Sequence, residues 1–489
     1  ERITSETKVK ETHPGKILSQ GDVEFNGNVE NNRSQIIAAG KIYNPNNPSE
    51  GVNNVPEMGI TRVVDNGNQE WTYSRWRGGF RRYHQREWAG RHGYQRITDT
   101  ELDLKQVRTE AYTTVTPEGE KANLSMETLA LANNIHVANG VNQSNAKAGQ
   151  REIRTIGADV SLPTSSLYHT NPEATNRPLI ETDPQFTDRK QWLSGDYMFK
   201  ALRSDPQNIL RRLGDGYYEQ RLVRDQVNQL TGRMFLTGYQ DLETQYKGLM
   251  DNGITFAKRF NLTPGVALSP AQVAQLTSDI VWFEEKEVTL PSGKQVKVMA
   301  PRVYAMAQKG DLNGEGTLIS ADVIDLRSNR LTNSGTIAGR KLTLLNTESL
   351  LNEGTITGDK VDINTTNNFD NIGGKVEAER ALLVDVGGDL NHESTTMTTN
   401  VGLSHFQRSE TTLARKALFH VKGEDGQLQL SSNNLNAKGA DIVNDGNGNT
   451  LVQSKNNMNL TALSVGFDER VGRRRDCCDK NRACTKLKW

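Results

Sequence analysis

Leu331-Thr332-Asn333-Ser334-Gly335-Thr336-Ile337-Ala338-Gly339 is followed by Leu351-Asn352-Glu353-Gly354-Thr355-Ile356-Thr357-Gly358, and this near-repetition decides the fold. Leu312-Asn313-Gly314-Glu315-Gly316-Thr317-Leu318 precedes the pair, and Asn371-Ile372-Gly373-Gly374-Lys375-Val376 follows it. The glycines Gly316, Gly335, Gly354 and Gly374 lie 19, 19 and 20 residues apart. Between them, segments such as Lys341-Leu342-Thr343-Leu344 and Lys360-Val361-Asp362-Ile363 alternate, so every other side chain points to one face. One such unit buries too little apolar surface to fold alone, whereas stacked units bury it jointly. The expected fold is mainly β: segments of parallel β-helix, a solenoid whose coils pair about 4.8 Å apart around inward Leu, Ile and Val. Asn at equivalent turn positions is expected to form amide ladders, and Gly to supply positive φ. A leucine-rich repeat has a similar period, but its fixed leucine pattern is missing.

Working outward, residues 1–58 carry the same style in Gly21-Asp22-Val23-Glu24-Phe25 and Asn32-Arg33-Ser34-Gln35-Ile36-Ile37. They are read as the end of a first β-helix, broken off by Pro45, Pro48 and Pro56. Residues 59–161 form an inserted region of different composition, and 162–203 a Tyr/Pro-containing linker. Residues 204–309 read as a small α-helical bundle plus a hairpin. One helix over 218–231 places Leu222, Val223, Val227 and Leu230 on one face with Gly232 as its cap, and a second spans 242–260. A third starts at Ser269, with Pro270 and Gln272 completing a capping box, and runs on through Val273, Leu276 and Ile280. The hairpin sets Val288-Thr289-Leu290 against Val296-Lys297-Val298 around Pro291-Ser292-Gly293-Lys294. Residues 310–472 are read as a second β-helix.

The 489 residues are 35% hydrophobic with 43 glycines, and the mean hydropathy of -0.66 suits a thin core column better than a sphere. With 59 basic against 59 acidic residues, the chain is neither a highly charged disordered polymer nor a wholesale nucleic-acid binder. No apolar run is long enough to span a membrane, and the first residues show no signal-peptide pattern. All three cysteines, Cys477, Cys478 and Cys484, fall in the tail. A body free of cysteine suits passage through an oxidising periplasm. Residues 473–489 abandon the Asn/Gly/Thr chemistry and read as an aberrant basic tail from a premature or shifted frame. Their cysteines lack the two spaced pairs of a zinc site.

No catalytic constellation is visible. The eight histidines are scattered, no metalloprotease or nucleophile-elbow motif occurs, and Asp322, Asp325 and Asp362 do not cluster as a polysaccharide lyase would require. No catalytic residue, metal site or cofactor is therefore expected, and the chain reads as non-enzymatic. The segment from Trp71 to Tyr94 is different, with seven aromatics, six arginines and one acid. Trp71, Tyr73, Arg75, Trp76, Arg77, Phe80, Arg81, Arg82, Tyr83 and Trp88 are candidate receptor-binding residues, because Trp, Tyr and Arg dominate desolvated interface anchors. A cationic aromatic surface suits an acidic protein loop or lipopolysaccharide phosphates. The competing reading is a locally aromatic domain with arginines lying over its core.

The Gly310-Asp311-Leu312 and Gly388-Asp389-Leu390 units and the Leu-x-Asn-x-Gly-Thr-Ile repeats resemble the filamentous haemagglutinin and contact-dependent growth inhibition exoproteins of Gram-negative bacteria. So do Leu162-Pro163-Thr164-Ser165-Ser166-Leu167-Tyr168-His169-Thr170-Asn171-Pro172, Leu179-Ile180-Glu181-Thr182-Asp183-Pro184 and Leu276-Thr277-Ser278-Asp279-Ile280-Val281-Trp282. The resemblance implies export by an outer-membrane two-partner transporter and a secreted, cell-surface, monomeric filament. It also implies a receptor-binding region over 59–161 that contacts a neighbouring cell, and delivery of a C-terminal toxin by the full-length parent. The family's secretion domain, Val-Glu-Asn-Asn pretoxin motif and toxin are expected to be missing here, which implies a central fragment. Two other readings stand beside it: a host-cell adhesin whose rod binds glycans, and a carbohydrate-active β-helix enzyme.

Overall fold

The computed structural model of the protein describes residues 2–6, 15–44, 49–56, 58–77, 83–103, 135–139, 151–173, 177–187, 191–204, 210–308, 311–312, 316–403, 406–471, 473–479 and 482–488. Its spine is a parallel β-helix. The first coil comprises Lys16–Ser19, Val23–Glu24 and Val29–Asn32, and the second Gln35–Ala38, Lys41–Tyr43 and Ser49–Val55. The third is Leu318–Asn333 and the fourth Thr336–Asn352. The fifth is Thr355–Thr365 with Phe369–Ile372, and the sixth Lys375–Val386 with Asp389–Glu393. The seventh comprises Leu418–Val421, Gln427–Ser432 and Asn434–Lys438; the eighth Asp441–Asn444, Thr450–Ser454 and Met458–Thr461. Every coil pairs in parallel with the next. Inward Ile36, Ile319, Ile337, Ile356 and Val376 form one apolar column of a continuous core.

The second coil pairs directly with the third. Gln35, Ile36 and Ile37 stand in register with Leu318, Ile319 and Ser320, Ile42 with Ile324, and Asn54 with Asn333. The residues before Pro56 and those after Gly316 are therefore consecutive coils of one rod, not the end of one rod and the start of another. Everything between them is an insert at the position of a coil-to-coil turn. In the next turns that position holds only Ser334-Gly335 and Glu353-Gly354.

The expected amide ladder is present and buried. Asn31 donates to Asn54 at 2.7 Å, Asn54 to Asn333 at 2.8 Å, Asn333 to Asn352 at 2.8 Å and Asn352 to Asn371 at 2.7 Å. Each Nδ2 also donates to a backbone carbonyl, so the ladder satisfies its own buried polar atoms. The ladder ends on a histidine: Asn371 Nδ2 lies 2.9 Å from His392 Nδ1, and His392 Nε2 lies 2.9 Å from Asp441 O. This geometry assigns the Nε2–H tautomer, with Nδ1 accepting from the amide. His392 stacks on Phe419 with centroids 4.1 Å apart, and burial lowers its pKa to about 4. The tetrapeptide Val-Glu-Asn-Asn does occur, at Val29–Asn32, contrary to the expectation that it is missing. It is a rod strand, with Val29 and Asn31 turned inward.

The turn glycines act in two ways. Gly316 has φ +83, as expected. Gly335, Gly354 and Gly374 have no positive φ, and close stacking excludes a side chain at each of them instead. A Cβ on Gly354 would lie 2.1 Å from Gly335 O, and one on Gly374 2.4 Å from Asn352 O.

Within the insert, Gln295–Met306 is the central strand of a sheet, antiparallel to Ile280–Thr289 on one side and to Arg151–Ile156 on the other. Ile135–Asn139 pairs parallel outside the latter. Helices Gly216–Thr231 and Leu242–Phe260 pack on this sheet through Val223, Val227, Tyr246, Leu249 and Met250, against Trp282, Phe283 and Val303. The helices pack on a mainly antiparallel sheet as well as on each other, so the module is α+β rather than a helical bundle. Gly232 caps the first helix at φ 68, as its sequence requires. The Ser269 capping box also forms, but its helix is only Pro270–Val273. Ile280, read as its continuation, begins a buried strand. The hairpin forms around the expected turn, with Val288 opposite Val296, Lys286 opposite Val298 and Gly293 at φ +82. The tail folds back as Arg473–Asp479 against Arg482–Lys488, a separate hairpin with Cys477 opposite Cys484.

Candidate functional site

The aromatic and basic segment lies on the longest hairpin among the described residues. The chain leaves the second coil at Pro56 and runs out along Met58–Arg77, 20 residues, returning along Tyr83–Asp103, 21 residues. At about 3.4 Å per residue such a strand reaches about 65 Å when fully extended. Arg2–Glu6 adds a third strand at its base, in register with residues 61–65. There Arg62 holds Asp99 bidentately, both contacts at 2.8 Å, and Gln95 donates to Asn66 at 3.1 Å. The guanidinium lowers the Asp99 pKa, so this clamp stays charged near neutrality. Sequence reasoning passed over it because a single Arg and Asp 37 residues apart carry no local pattern.

Trp71, Tyr73, Arg75, Trp76 and Arg77 fall on the outgoing strand, and Tyr83 and Trp88 on the returning one. The register sets Tyr73 opposite Trp88, Trp76 opposite His84, Arg75 opposite Gln85 and Arg77 opposite Tyr83, with a bulge between Tyr73 and Ser74. Positions distributed along the sequence are thereby brought into cross-strand pairs toward one end of the hairpin. Phe80, Arg81 and Arg82 lie outside the described residues. The turn glycines Gly316, Gly335, Gly354 and Gly374 sit in the rod, away from this end.

A second antiparallel sheet stands beside the hairpin. Thr395–Leu403 and Phe406–Arg415 are inserted between the sixth and seventh coils, and Gly466–Val471 joins them after the eighth. Thr395–Leu403 runs alongside Tyr83–Asp103. On its face Arg408 lies over the exposed Phe467 ring, 4.5 Å from the centroid.

Elsewhere the buried charges are structural pins. Glu219, with no exposed surface, accepts from Gly195 N at 2.7 Å and Tyr246 Oη at 2.9 Å and faces Arg212 at 3.4 Å. Burial pushes its pKa up to about 7, against the opposing pull of Arg212. The acids weighed for a lyase are engaged by neighbours: Asp322 by Arg340 and Lys341, Asp325 by Lys41, Asp362 by Asn364. Among the described residues no group of three or more His, Cys, Asp or Glu could hold a metal ion, and no helix is long and apolar enough to cross a membrane.

No family model and no solved structure matches the chain. Among curated proteins it is 33% identical over 291 residues to the tRNA nuclease CdiA-2 of Burkholderia pseudomallei strain 1026b, covering 58% of this chain and 9% of that protein. It is 44% identical over 149 residues to the Toxin CdiA of Yersinia pestis, 30% of this chain and 4% of that one. To the Toxin CdiA of Escherichia coli it is 29% identical over 299 residues, 60% and 9% respectively. The match thus spans less than a tenth of each of these relatives. The curated homologues of this chain are therefore CdiA contact-dependent growth inhibition exoproteins, each matched over only a small part of its length.

Proposed function

We propose that the chain is the part of a secreted, cell-surface exoprotein that recognises a neighbouring cell, and that it acts without catalysis. The reading rests above all on the insert: between its second and third coils the rod gives way to a long hairpin rich in Trp, Tyr and Arg. Rigid aromatic side chains lose little entropy on binding and bury much area, and arginine adds bidentate contacts to carboxylate or phosphate. On this reading Trp71, Tyr73, Arg75, Trp76, Arg77, Phe80, Arg81, Arg82, Tyr83 and Trp88 contact a surface protein or lipopolysaccharide. The parent filament leaves the cell through a two-partner outer-membrane transporter. In the parent protein the contact precedes delivery of a toxin, the role that the relatives' names carry.

The test is binding of the full chain to Gram-negative cells. Replacing Trp76, Arg81 and Arg82 together by Ala is expected to weaken it at least tenfold, about 1.4 kcal/mol or more. Undiminished binding by that variant removes the aromatic–basic site. Adhesion that persists after deletion of residues 59–161 favours a glycan-binding rod.

A further inference from the structure

We infer that the α+β module is a clasp that seals the rod at its one chain-distant seam, the pairing of the second coil with the third. The sequence along the outer face of the rod carries the argument. One outward column runs Leu18, Ile37, Ser320, Ala338, Thr357, Glu377, and its neighbour runs Lys16, Gln35, Leu318, Thr336, Thr355, Lys375. Through the first six coils, large apolar residues stand in these columns only at Leu18, Ile37 and Leu318, on both sides of the insert; the seventh coil adds Leu418, beyond the reach of the module. The fourth to sixth coils carry Thr, Lys and Glu, as a solvated face should.

Ile37 and Leu318 are nevertheless fully buried, because Met234 and Phe235 cover them, with Leu242 and Leu312 at the margin. The covering residues come from the loop between the two long helices. One hydrogen bond ties that loop directly to the rod, Ser320 Oγ donating to Gly232 O at 2.9 Å, and the segment leading back into the rod is held at the helix end, Leu312 N donating to Thr231 O at 2.9 Å. Arg154 Nη1 donates to Leu230 O at 2.9 Å and Leu312 O at 3.3 Å, while Arg233 pairs with Asp311. Gly232 allows the close approach, since a Cβ there would lie 3.0 Å from Leu312 Cβ.

The other coils are joined by short turns, except the sixth and seventh, which a single local hairpin, Thr395–Leu403 with Phe406–Arg415, connects. The seam must close over residues 56–317, and long loops cost more entropy to close. A single apolar wedge that touches both coils offsets that cost. When the wedge is released, the first two coils part from the rest, which remain stacked. The module is thus a joint as well as a domain, whatever the hairpin recognises.

Hydrogen exchange of the full chain tests this with two variants. Ile37→Ser weakens the clasp from the rod side, and Met234→Ala with Phe235→Ala weakens it from the module side. In both, amides of Gln35–Ala38 and of residues 318–320 are expected to exchange about tenfold faster or more, with Thr355–Thr365 unchanged. If the double variant also frees the helices, the rod-side variant decides alone. Unchanged seam exchange in Ile37→Ser, or acceleration spread evenly over all coils, overturns the proposal.

Discussion

Replacing Asn352 by Ala cuts the buried amide ladder at its centre. Asn352 has no exposed surface; it accepts from Asn333 at 2.8 Å and donates to Asn371 at 2.7 Å and to Lys375 O at 3.4 Å. Alanine removes these bonds and leaves the Asn371 carbonyl oxygen without its ladder donor. At about 1 kcal/mol for each of the two short ladder bonds and about 1–3 kcal/mol for a buried polar atom left unmade, the loss is about 3–5 kcal/mol. Asn436 is the control. It makes the same type of ladder, to Asn391 and from Asn459, both at 2.9 Å, but on the outer face where water replaces a lost partner. Asn436→Ala should cost below about 1 kcal/mol. Stacked coils open locally as well as globally, so the assay is amide exchange across Thr336–Asn352 and Thr355–Thr365, supported by urea midpoints. Asn352→Ala should speed exchange there at least about a hundredfold. An effect no larger than that of Asn436→Ala would refute the claim that the buried amides hold the coils together.

His392 makes the rod sensitive to acid. Its pKa falls from 6.5 to about 4 on folding, so the unfolded chain binds the extra proton, and the stabilisation present above about pH 6.5 is lost as pH falls toward 4. The difference between wild type and His392→Asn in urea midpoints at pH 7 and pH 4.5 should shrink by up to about 3 kcal/mol; a constant difference sinks the idea. Glu219, raised to about 7, contributes the opposite slope, with stability falling as pH rises between its usual value and 7. The paired comparison cancels it. Gly354→Ala should cost about 3 kcal/mol or more, because the new Cβ would meet Gly335 O at 2.1 Å, whereas Gly21→Ala, with open space around it, should be nearly neutral. Equal melting curves for the two would contradict close stacking at the turn.

The repeat was legible because Asn333, Asn352 and Asn371 recur with their glycines at nearly fixed intervals. Asn31 and Asn54 belong to the same ladder, but they lie 23 residues apart rather than 19, which hides the period. His392 takes an asparagine's place, which a reading by residue identity cannot see. The helix ends were readable because caps are local: Asp215 and Asp241 each accept from the backbone three residues on, and Gly232 takes the left-handed conformation. Leu276 and Ile280 misled because a short buried apolar run fits helix and strand equally well. The seam was invisible for a different reason. Ile37 and Ser320 are partners only through tertiary pairing, and periodicity carries no information across an insert. For the candidate site, the sequence marked the residues and the backbone supplied their cross-strand register.

The central claim is that one rod runs through the insert. Glu30, Asn53, Thr332, Leu351 and Asp370 lie in successive coils in direct register, so Glu30 and Asp370 are four coil steps apart, about 19 Å at the usual strand spacing. Spin labels at positions 30 and 370, in a chain with Cys477, Cys478 and Cys484 replaced by Ser, measure that separation by pulsed dipolar spectroscopy. A narrow distribution near 20 Å, allowing for the label arms, is the expected result. A broad distribution, or a mean well beyond about 30 Å, would mean that the coils on either side of the insert do not stack.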